Sequence, residues 1–191
     1  AAVETVQLTI QMGIPMARIE FVDEAVARVF NAANDAHMPE KPHLLIEFHG
    51  SEAGVAEDSR RFGEVVAEMG GADFQWATST EDRNRLWKMR HAAYTSCLAA
   101  RPGCMGLVTD ICVPISRLAE AVAQTRADIA AEGLTGPILG HVGDGNFHAI
   151  LLLDRNDPDE FVRAKRVAGK MAERALAMGG TITGEHGIGL G

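Results

Sequence analysis

Apolar and polar residues alternate with a period of two in some stretches of the chain and with a helical period in others, which predicts strands and helices in turn. In the first half of the chain, Asp23 is the expected N-cap of one helix, and two glycines after Met69 end a longer one. The elements predicted here are a strand over 16–22, a helix over 24–34, a strand over 43–49, a helix over 51–69 and a strand over 74–77.

The second half of the chain repeats this pattern. Ser79 or Thr80 is expected to cap a helix that Pro102-Gly103 ends, and Ser116 is expected to cap a later helix. Strands separated by helices, yet including a two-stranded hairpin, predict an α+β fold of the ferredoxin-like kind, with a largely antiparallel sheet covered by helices. The elements predicted here are a helix over 80–100, a strand over 106–114, a helix over 117–132, two strands within 137–153 and a helix over 158–178.

Composition and charge narrow the classes of function. The 191 residues are 47% hydrophobic and 23% charged, which is typical of a folded globular protein, and we treat them as one structural unit. With 18 basic and 26 acidic residues, the net charge of -8 disfavours nucleic acid as a partner. The three cysteines form no CxxC pair, so we expect neither disulfides nor a thiolate zinc site, and a reducing compartment such as the cytoplasm fits best. No apolar run approaches the ~18 residues of a transmembrane segment, so any membrane contact would be peripheral.

Candidate chemistry begins at a predicted hairpin around the dipeptide Asp144-Gly145, which is typical of a two-residue turn. With that turn, His141 faces His148 directly, and their Cβ atoms would lie ~4.5–5.5 Å apart, so both imidazoles could bind one metal ion. A three-residue turn would instead put the two histidines on opposite faces of the hairpin. The simpler alternative is two ordinary strand histidines with satisfied hydrogen bonds.

A second candidate cluster lies in the glycine-rich segment from Thr183 to Gly189, where Glu185 and His186 are adjacent. Glycines permit positive φ angles and close approach of a ligand. Together with the hairpin histidines, Glu185 would complete a His-His-Glu set that suits a zinc-like ion with an open position, and His186 would remain for proton transfer. The alternative is a surface loop with a charged tip.

One face of the helix predicted after Thr80 also carries polar chemistry. Arg83, Trp87, Arg90 and Tyr94 recur at helical spacing, and Arg90 could bind a carboxylate bidentately. The alternative is a solvated helix face, where arginine is usually found. The remaining histidines and the cysteines are expected to have structural roles; they are His37, His43, His49, His91, Cys97, Cys104 and Cys112.

Two of these segments, Gly140–His148 and Thr183–Gly189, resemble the C-terminal domain of the FAD-linked oxidases. This family holds D-lactate dehydrogenase (cytochrome), glycolate oxidase and D-2-hydroxyglutarate dehydrogenase. The resemblance covers nearly the whole chain in order and spacing. The other matching segments are Pro15–Phe21, Leu45–Ser51, Arg85–His91, Arg101–Cys104 and Thr109–Arg117.

The resemblance implies the roles of individual site residues. A divalent metal, zinc or manganese, and a carboxylate-bearing substrate would share one site, and a histidine would remove the proton of the substrate hydroxyl. The residues implied are the metal ligands His141, His148 and Glu185, the proton acceptor His186, the carboxylate clamp Arg90, and Asn146 as a contact to substrate or flavin.

The resemblance also implies an activity: oxidation of a small 2-hydroxy acid, with D-lactate as the expected substrate and pyruvate as the product. Hydride would pass to FAD, and electrons would then pass to cytochrome c or a quinone. Family members carry an N-terminal FAD-binding domain and a short C-terminal tail, so we expect this chain to be a fragment that lacks both and is inactive alone. The alternatives are glycolate or D-2-hydroxyglutarate as substrate, a self-contained metal hydrolase, or a non-catalytic ferredoxin-like binding module.

Overall fold

The computed structural model describes residues 1–34, 36–71, 76–77 and 79–187. In these ranges the chain combines helices with an antiparallel sheet, so the predicted α+β class is confirmed. The helices are α1 (Ala2–Gln11), α2 (Glu24–Asn34), α3 (Glu52–Glu68), α4 (Thr80–His91), α5 (Ala93–Ala99), α6 (Leu118–Ala131) and α7 (Pro158–Ala177), with a short 3-10 turn at Ile115–Arg117. The strands are β1 (Arg18–Val22), β2 (His43–Glu47), β3 (Cys104–Val108), β4 (Ile111–Cys112), β5 (Ile138–Gly140) and β6 (Asn146–Asp154).

The sheet has the strand order β2-β1-β5-β6-β3, with β4 also paired to β6, and every pairing is antiparallel. Its longest strand, β6, is buried from Asn146 to Leu153 because helices cover both faces of the sheet. Helices α1, α6 and α7 pack on one face, here named the α6/α7 face, with Phe147, Ala149 and Leu151. Helices α2, α4 and α5 pack on the other, the α2/α5 face, with Ile150 and Leu152. None of the helices in the described ranges is long and apolar enough to cross a bilayer.

Local sequence signals explain several element boundaries. Asp23 caps α2 as predicted, because its Oδ1 accepts a hydrogen bond from the backbone N–H of Val26 at 2.9 Å. Ser79 caps α4 in the same way through the N–H of Asp82. The predicted Ser116 cap is wrong: Ser116 lies inside the 3-10 turn that starts after Pro114, and no side chain caps α6.

Two helix predictions need correction. The single helix predicted over 80–100 is two helices that meet at Ala92, so α4 and α5 can bury different side chains against the sheet and α2. Helix α1 was not predicted because its valines and threonines are poor helix formers. Val3, Val6 and Thr9 recur every three residues and are buried, so tertiary packing stabilises the helical conformation of α1. The strand predicted over 74–77 falls largely outside the described residues.

The single strand predicted over 106–114 is divided into β3 and β4 by Thr109 and Asp110. The register continues across this gap, since Val108 pairs with Ile150 and Ile111 with Phe147. At the gap, the N–H of Ala149 donates a hydrogen bond to the side-chain Oγ1 of Thr109 at 2.9 Å. In a regular strand pair, the backbone carbonyl oxygen of Thr109 would accept this bond. The carbonyl oxygen of Thr109 is therefore available for another donor.

The predicted two-residue hairpin turn is wrong. Strands β5 and β6 pair with Leu139 opposite His148, so continuing the register puts His141 beside Asn146 and leaves residues 142–145 in the turn. Gly145 lies against the neighbouring strand instead, where its carbonyl oxygen accepts a hydrogen bond from the N–H of Val113 at 3.0 Å. The shift from prediction is two residues, and side chains alternate with a period of two, so His141 and His148 still share a face.

Candidate metal and substrate site

The three predicted metal ligands meet at one end of the α2/α5 face. His141 follows β5, His148 lies in β6, and Glu185 lies in the glycine-rich loop after α7. One possible ligand atom from each residue lies within 4.8 Å of those of the other two. The centroids of the two imidazoles are 6.0 Å apart, and His141 Nε2 is 3.2 Å from Glu185 Oε1. Residues that are distant in sequence thus form one compact His-His-Glu cluster.

The hydrogen bonds of the two histidines suit a divalent ion. His141 Nδ1 is 2.6 Å from Glu20 Oε1, and His148 Nδ1 is 3.1 Å from the carbonyl oxygen of Thr109. An acceptor at Nδ1 selects the tautomer that carries its hydrogen there, which leaves the lone pair of Nε2 free to bind a metal. Two neutral imidazoles and one carboxylate are a donor set that zinc accepts, with a fourth position left open.

The two histidines differ in their electrostatic surroundings. Burial lowers the pKa of His148 below its ordinary value, which keeps the imidazole in the neutral form that coordination requires. The hydrogen bond to Glu20 raises the pKa of His141, and this effect exceeds the opposing effect of partial burial. Binding of a metal at His141 therefore has to displace a proton when that imidazole is charged.

Asp110 anchors the loop that carries Glu185 and His186. Its Oδ2 accepts hydrogen bonds from the backbone N–H groups of Glu185 at 2.8 Å and His186 at 2.7 Å, and from the hydroxyl of Thr183 at 3.0 Å. Its Oδ1 accepts a further bond from Asn146 Nδ2 at 2.8 Å. Burial alone would raise the pKa of Asp110, but these hydrogen bonds outweigh it and hold the pKa below its ordinary value. The carboxylate is therefore charged wherever the loop is in place.

Glycine is required where this loop closes on the sheet. A Cβ atom at Gly184 would lie 1.9 Å from Asn146 Nδ2, which is far inside van der Waals contact. The loop can approach Asn146 so closely only without a side chain at this position. The ring of His186 then lies beside that of His148, with 5.3 Å between the centroids.

Arg90 reaches the same region from α4. Its Nη2 donates a hydrogen bond to Glu20 Oε2 at 2.9 Å, and the two residues are 9% and 4% exposed. The alternative of a solvated helix face is therefore wrong for Arg90 and Trp87, because both side chains are buried. It is correct for Arg83 and Tyr94, which are exposed. A buried guanidinium that holds one carboxylate still has other N–H groups to offer.

Two buried polar atoms near the cluster have no hydrogen-bond partner among the described residues: Arg90 Nε and Asn146 Oδ1. Asn146 Nδ2 donates to both Asp110 Oδ1 and the carbonyl oxygen of Ile111, so the amide orientation is well determined and its Oδ1 is an open acceptor. Buried polar groups are nearly always paired in folded proteins. Both atoms are closed to solvent, and of the two residues only Arg90 lines the cleft over the cluster.

A cleft of about 640 Å³ lies over the cluster. Among the described residues that line it, Arg90 is the only one with a permanent positive charge. The cleft also has substantial apolar walls, and its carboxylates belong to Asp110 and Glu185. The large apolar or aromatic side chains among them are Tyr94, Val108, Ile111, Leu139, Ile150 and Ile182.

The structure differs from the remaining predictions at one residue, Cys112. His91, which was expected to be structural, is one of the residues that line the cleft. Cys97 and Cys104 are buried as predicted, but Cys112 is only partly buried, with its Sγ 3.2 Å from the carbonyl oxygen of Asp144. His43 and His49 lie outside the cluster, with hydrogen bonds to Pro39 and Glu47.

Sequence reasoning missed three residues that organise the site: Glu20, Thr109 and Asp110. Glu20 occupies a polar position in the alternating pattern of β1, which predicts a solvent-facing side chain, but both faces of the sheet are covered. Asp110 is 75 residues before the backbone N–H of Glu185 that it binds, so no local spacing signals the contact. The one available signal is that all three lie in segments that carried the family resemblance.

Fold and site together define a helix-covered antiparallel α+β domain with a candidate metal-binding cleft at one end of the sheet. The family model for the C-terminal domain of the FAD linked oxidases matches residues 1–191, and the chain belongs to this family.

Three curated relatives illustrate the similarity. The probable mitochondrial D-lactate dehydrogenase of Danio rerio is 48% identical over 191 residues, which are 100% of this chain and 38% of that protein. The mitochondrial D-lactate dehydrogenase [cytochrome] of Arabidopsis thaliana is 37% identical over 96% of this chain and 32% of its own length. Glycolate oxidase subunit GlcD of Escherichia coli K12 is 34% identical over 76% of this chain and 29% of its own length. The chain therefore spans about a third of the relatives that it matches.

A solved structure shares the fold. The 4-ethylphenol oxidase of Gulosibacter chungangensis, in its isoeugenol complex, superimposes with a TM-score of 0.61 over 86% of this chain and 38% of that one. Sequence identity is 10%, so this likeness concerns the fold alone.

Proposed function

We propose that the chain is the substrate- and metal-binding domain of a flavin-dependent dehydrogenase that oxidises a D-2-hydroxy acid, with D-lactate as its substrate. The observation that carries the proposal is the convergence of the His141, His148 and Glu185 cluster with Arg90 at one cleft. A 2-hydroxy acid has a carboxylate for the guanidinium of Arg90 and a hydroxyl for the proposed ion.

In this proposal, His141, His148 and Glu185 hold a divalent ion, zinc or manganese, through two imidazole nitrogens and a carboxylate. Such an ion, when bound, favours loss of a proton from a hydroxyl that it contacts. The protein's own contribution is the fixed tautomer of both histidines and the loop position set by Asp110. Metal binding at this cluster is the part of the proposal that a metal analysis tests directly.

The substrate would be held at both ends of its reacting centre. Arg90 binds the carboxylate through N–H groups that Glu20 leaves free, and Asn146 is the further contact proposed to substrate or flavin. His186, whose ring neighbours that of His148, accepts the hydroxyl proton. In a flavin-linked oxidase FAD accepts the hydride from the substrate carbon, and the residues of this domain bind, orient and deprotonate the substrate.

The cleft supports a monocarboxylate over a dicarboxylate. A second substrate carboxylate requires a second cationic partner, and Arg90 is the one permanent cation among the described lining residues. Apolar walls beside it suit the methyl group of lactate. These features favour D-lactate over D-2-hydroxyglutarate, in agreement with the names of the Danio and Arabidopsis relatives.

Glycolate is the second candidate substrate, because the Escherichia coli relative is a glycolate oxidase subunit and glycolate is also a small monocarboxylate. Family membership counts against the hydrolase and the non-catalytic module. We propose cytochrome c or a quinone as the electron acceptor, and the name of the Arabidopsis relative supports the former. The Danio and Arabidopsis relatives are described as mitochondrial, which differs from the cytoplasmic compartment expected from the cysteines.

The test uses the longest natural form of the protein that contains residues 1–191, stripped with a chelator and refilled with zinc or manganese. We expect one ion per chain in the wild type and a loss of most bound metal in His148→Ala, because a ligand is removed. Elemental analysis after gel filtration measures the stoichiometry. His49→Ala, which removes an exposed histidine outside the cluster, is the matched control and should retain the ion.

Turnover of D-lactate, glycolate and D-2-hydroxyglutarate is then compared on the refilled wild type. We expect the highest kcat/KM for D-lactate and the lowest for the dicarboxylate. Equal metal content in the wild type and His148→Ala would refute the metal site. A preference for D-2-hydroxyglutarate would refute the substrate assignment.

A further inference from the structure

Glu20 connects two parts of the site that the sequence suggested separately. The residue lies in β1, and its side chain is 6% exposed. Oε1 is 2.6 Å from His141 Nδ1, and Oε2 accepts a hydrogen bond from Arg90 Nη2 at 2.9 Å. One buried carboxylate therefore uses one oxygen for a candidate metal ligand and the other for the candidate substrate clamp.

We propose that Glu20 is a positioning residue that sets both the metal site and the carboxylate-binding site, an inference that rests on the proposed function. Through Oε1 it keeps the hydrogen of His141 on Nδ1, so that Nε2 is the nitrogen left for the ion. Through Oε2 it fixes the guanidinium of Arg90, so that the remaining N–H groups keep one orientation. Because both contacts start from one side chain in a central strand, the spacing between metal and substrate carboxylate depends on Glu20.

The chemistry of the two partners requires a carboxylate of this length. Both His141 Nδ1–H and Arg90 Nη2–H are donors, so both atoms of the group between them must be acceptors. A glutamine offers one acceptor and one donor, and in either orientation one partner meets a donor. An aspartate keeps two acceptors but is one methylene shorter, so it cannot reach both partners from the backbone of β1. Glu20 also forms an ion pair with the buried Arg90, and burying that cation without a counter-charge would be costly.

The strand next to β1 provides a matched control. Glu47 in β2 also bonds a histidine, with 2.9 Å between its Oε1 and His49 Nε2, and it lies 3.7 Å from Arg83 Nη1. None of these three residues lines the cleft over the cluster. Glu47→Gln therefore removes the same charge from a similar contact outside the proposed site.

The experiment measures zinc or manganese affinity by competition with a chelator in the same natural form of the protein, without substrate. We expect Glu20→Gln to weaken metal binding by about 10- to 100-fold, the usual effect of losing a carboxylate partner of a ligand histidine. At saturating metal, KM for D-lactate should also rise, because Arg90 is no longer held. Glu47→Gln should match the wild type in both measurements. If Glu20→Gln does not fold, Glu20→Asp replaces it in the experiment. This variant keeps the negative charge but should weaken metal binding, because the shorter side chain cannot reach both partners.

A double substitution separates positioning from general damage. If Glu20 acts on the metal through His141, then Glu20→Gln should change the metal affinity of a His141→Ala protein by less than about twofold. The inference is overturned if folded Glu20→Gln and Glu20→Asp bind metal and D-lactate as the wild type does, or if the two substitutions are additive. Loss of metal in His148→Ala without loss in Glu20→Gln would overturn this inference alone. Retention of metal in His148→Ala would overturn the proposed metal site and this inference together.

Discussion

A single residue far away in the chain holds the loop of residues 183–187 in place. Asp110 Oδ2 accepts hydrogen bonds from the backbone N–H groups of Glu185 and His186, and Asp110 Oδ1 accepts one from the side-chain amide of Asn146. All of these partners are donors, so the anchor depends on a side chain with two acceptor oxygens. The position of Glu185 relative to the histidines therefore depends on a residue outside the proposed set of metal ligands.

Asp110→Asn should loosen this loop, because an amide has one acceptor and must present its NH2 group to one set of donors. We expect faster amide hydrogen exchange in residues 183–187 and about tenfold weaker metal binding. Hydrogen exchange read by mass spectrometry and chelator competition measure the two effects. Asp144→Asn, in the exposed hairpin turn, is the control and should change neither. Unchanged exchange in the loop would show that other contacts hold it.

The site residues that could be predicted from sequence are those whose chemistry is visible in their own segment. His141 and His148 flank a turn signal, and Glu185 and His186 lie between glycines. Glu20 could not be found this way, because its partners are 70 and 121 residues away in sequence. Type and spacing reveal candidate ligands, whereas the groups that orient them become visible only once the strands are paired.

At the scale of elements, α6 and α7 are joined by a small charged cluster. Asp128 in α6 accepts hydrogen bonds from Arg174 and from Lys170 Nζ, the latter at 3.1 Å, and Arg174 also donates to Thr125 Oγ1 at 3.2 Å. Burial raises the pKa of Asp128, but the bonds to Arg174 and Lys170 outweigh it and lower the pKa below its ordinary value. The carboxylate therefore contributes stability in its ionised form.

Asp128→Asn should lower the free energy of unfolding by about 1 to 2 kcal/mol at pH 7, since charged hydrogen bonds are lost. Because the folded pKa lies below the unfolded value of about 3.9, the contribution of Asp128 is complete above that pH and is lost as pH falls through the folded pKa. The difference between wild type and variant should therefore shrink below about pH 4. Urea unfolding at pH 7, 5 and 3 measures it, with exposed Glu173→Gln as the control. A difference that stays constant with pH would contradict the role of the charge.

Several element boundaries followed local cap or stop signals in the sequence, although the cap predicted at Ser116 did not form. The predicted helix over 24–34 coincides with α2, and Gly70, with φ of 72°, follows the end of α3. The break at Ala92 carries no such signal, because it is an alanine within a continuous helical pattern. The hairpin register was misjudged for a related reason: Gly145 is held by Val113 on a third strand, which a turn signal does not encode.

At the scale of the whole molecule, the sheet separates the larger core from the face that carries the candidate site. Leu151 and Phe147 of β6 belong to the α6/α7 core, whereas Ile150 faces the other side and lines the cleft. The cluster of His141, His148 and Glu185 therefore lies across the sheet from the larger core.

Leu151→Ala and Ile150→Ala test this separation in adjacent residues. Leu151 is fully buried, so its truncation should cost about 2 to 5 kcal/mol of unfolding free energy while metal affinity stays within about twofold. Ile150→Ala should also destabilise the fold, but it should raise KM for D-lactate because a cleft wall is removed. Denaturant unfolding, chelator competition and steady-state kinetics give the three values. A large loss of metal affinity in folded Leu151→Ala would show that the two faces are coupled.

The four-residue turn between β5 and β6 restricts how this hairpin can diverge among homologous proteins. Insertion of one residue within 142–145, with four residues kept in the turn, would shift the register of β5 against β6 by one, so that Val142 would take the place of His141 beside Asn146. The imidazole would then enter the α6/α7 core, where Val142 is now fully buried. Removing two residues instead would leave a two-residue turn with His141 still beside Asn146 and preserve the shared face. Functional descendants of this sequence should therefore vary in hairpin length by even numbers of residues.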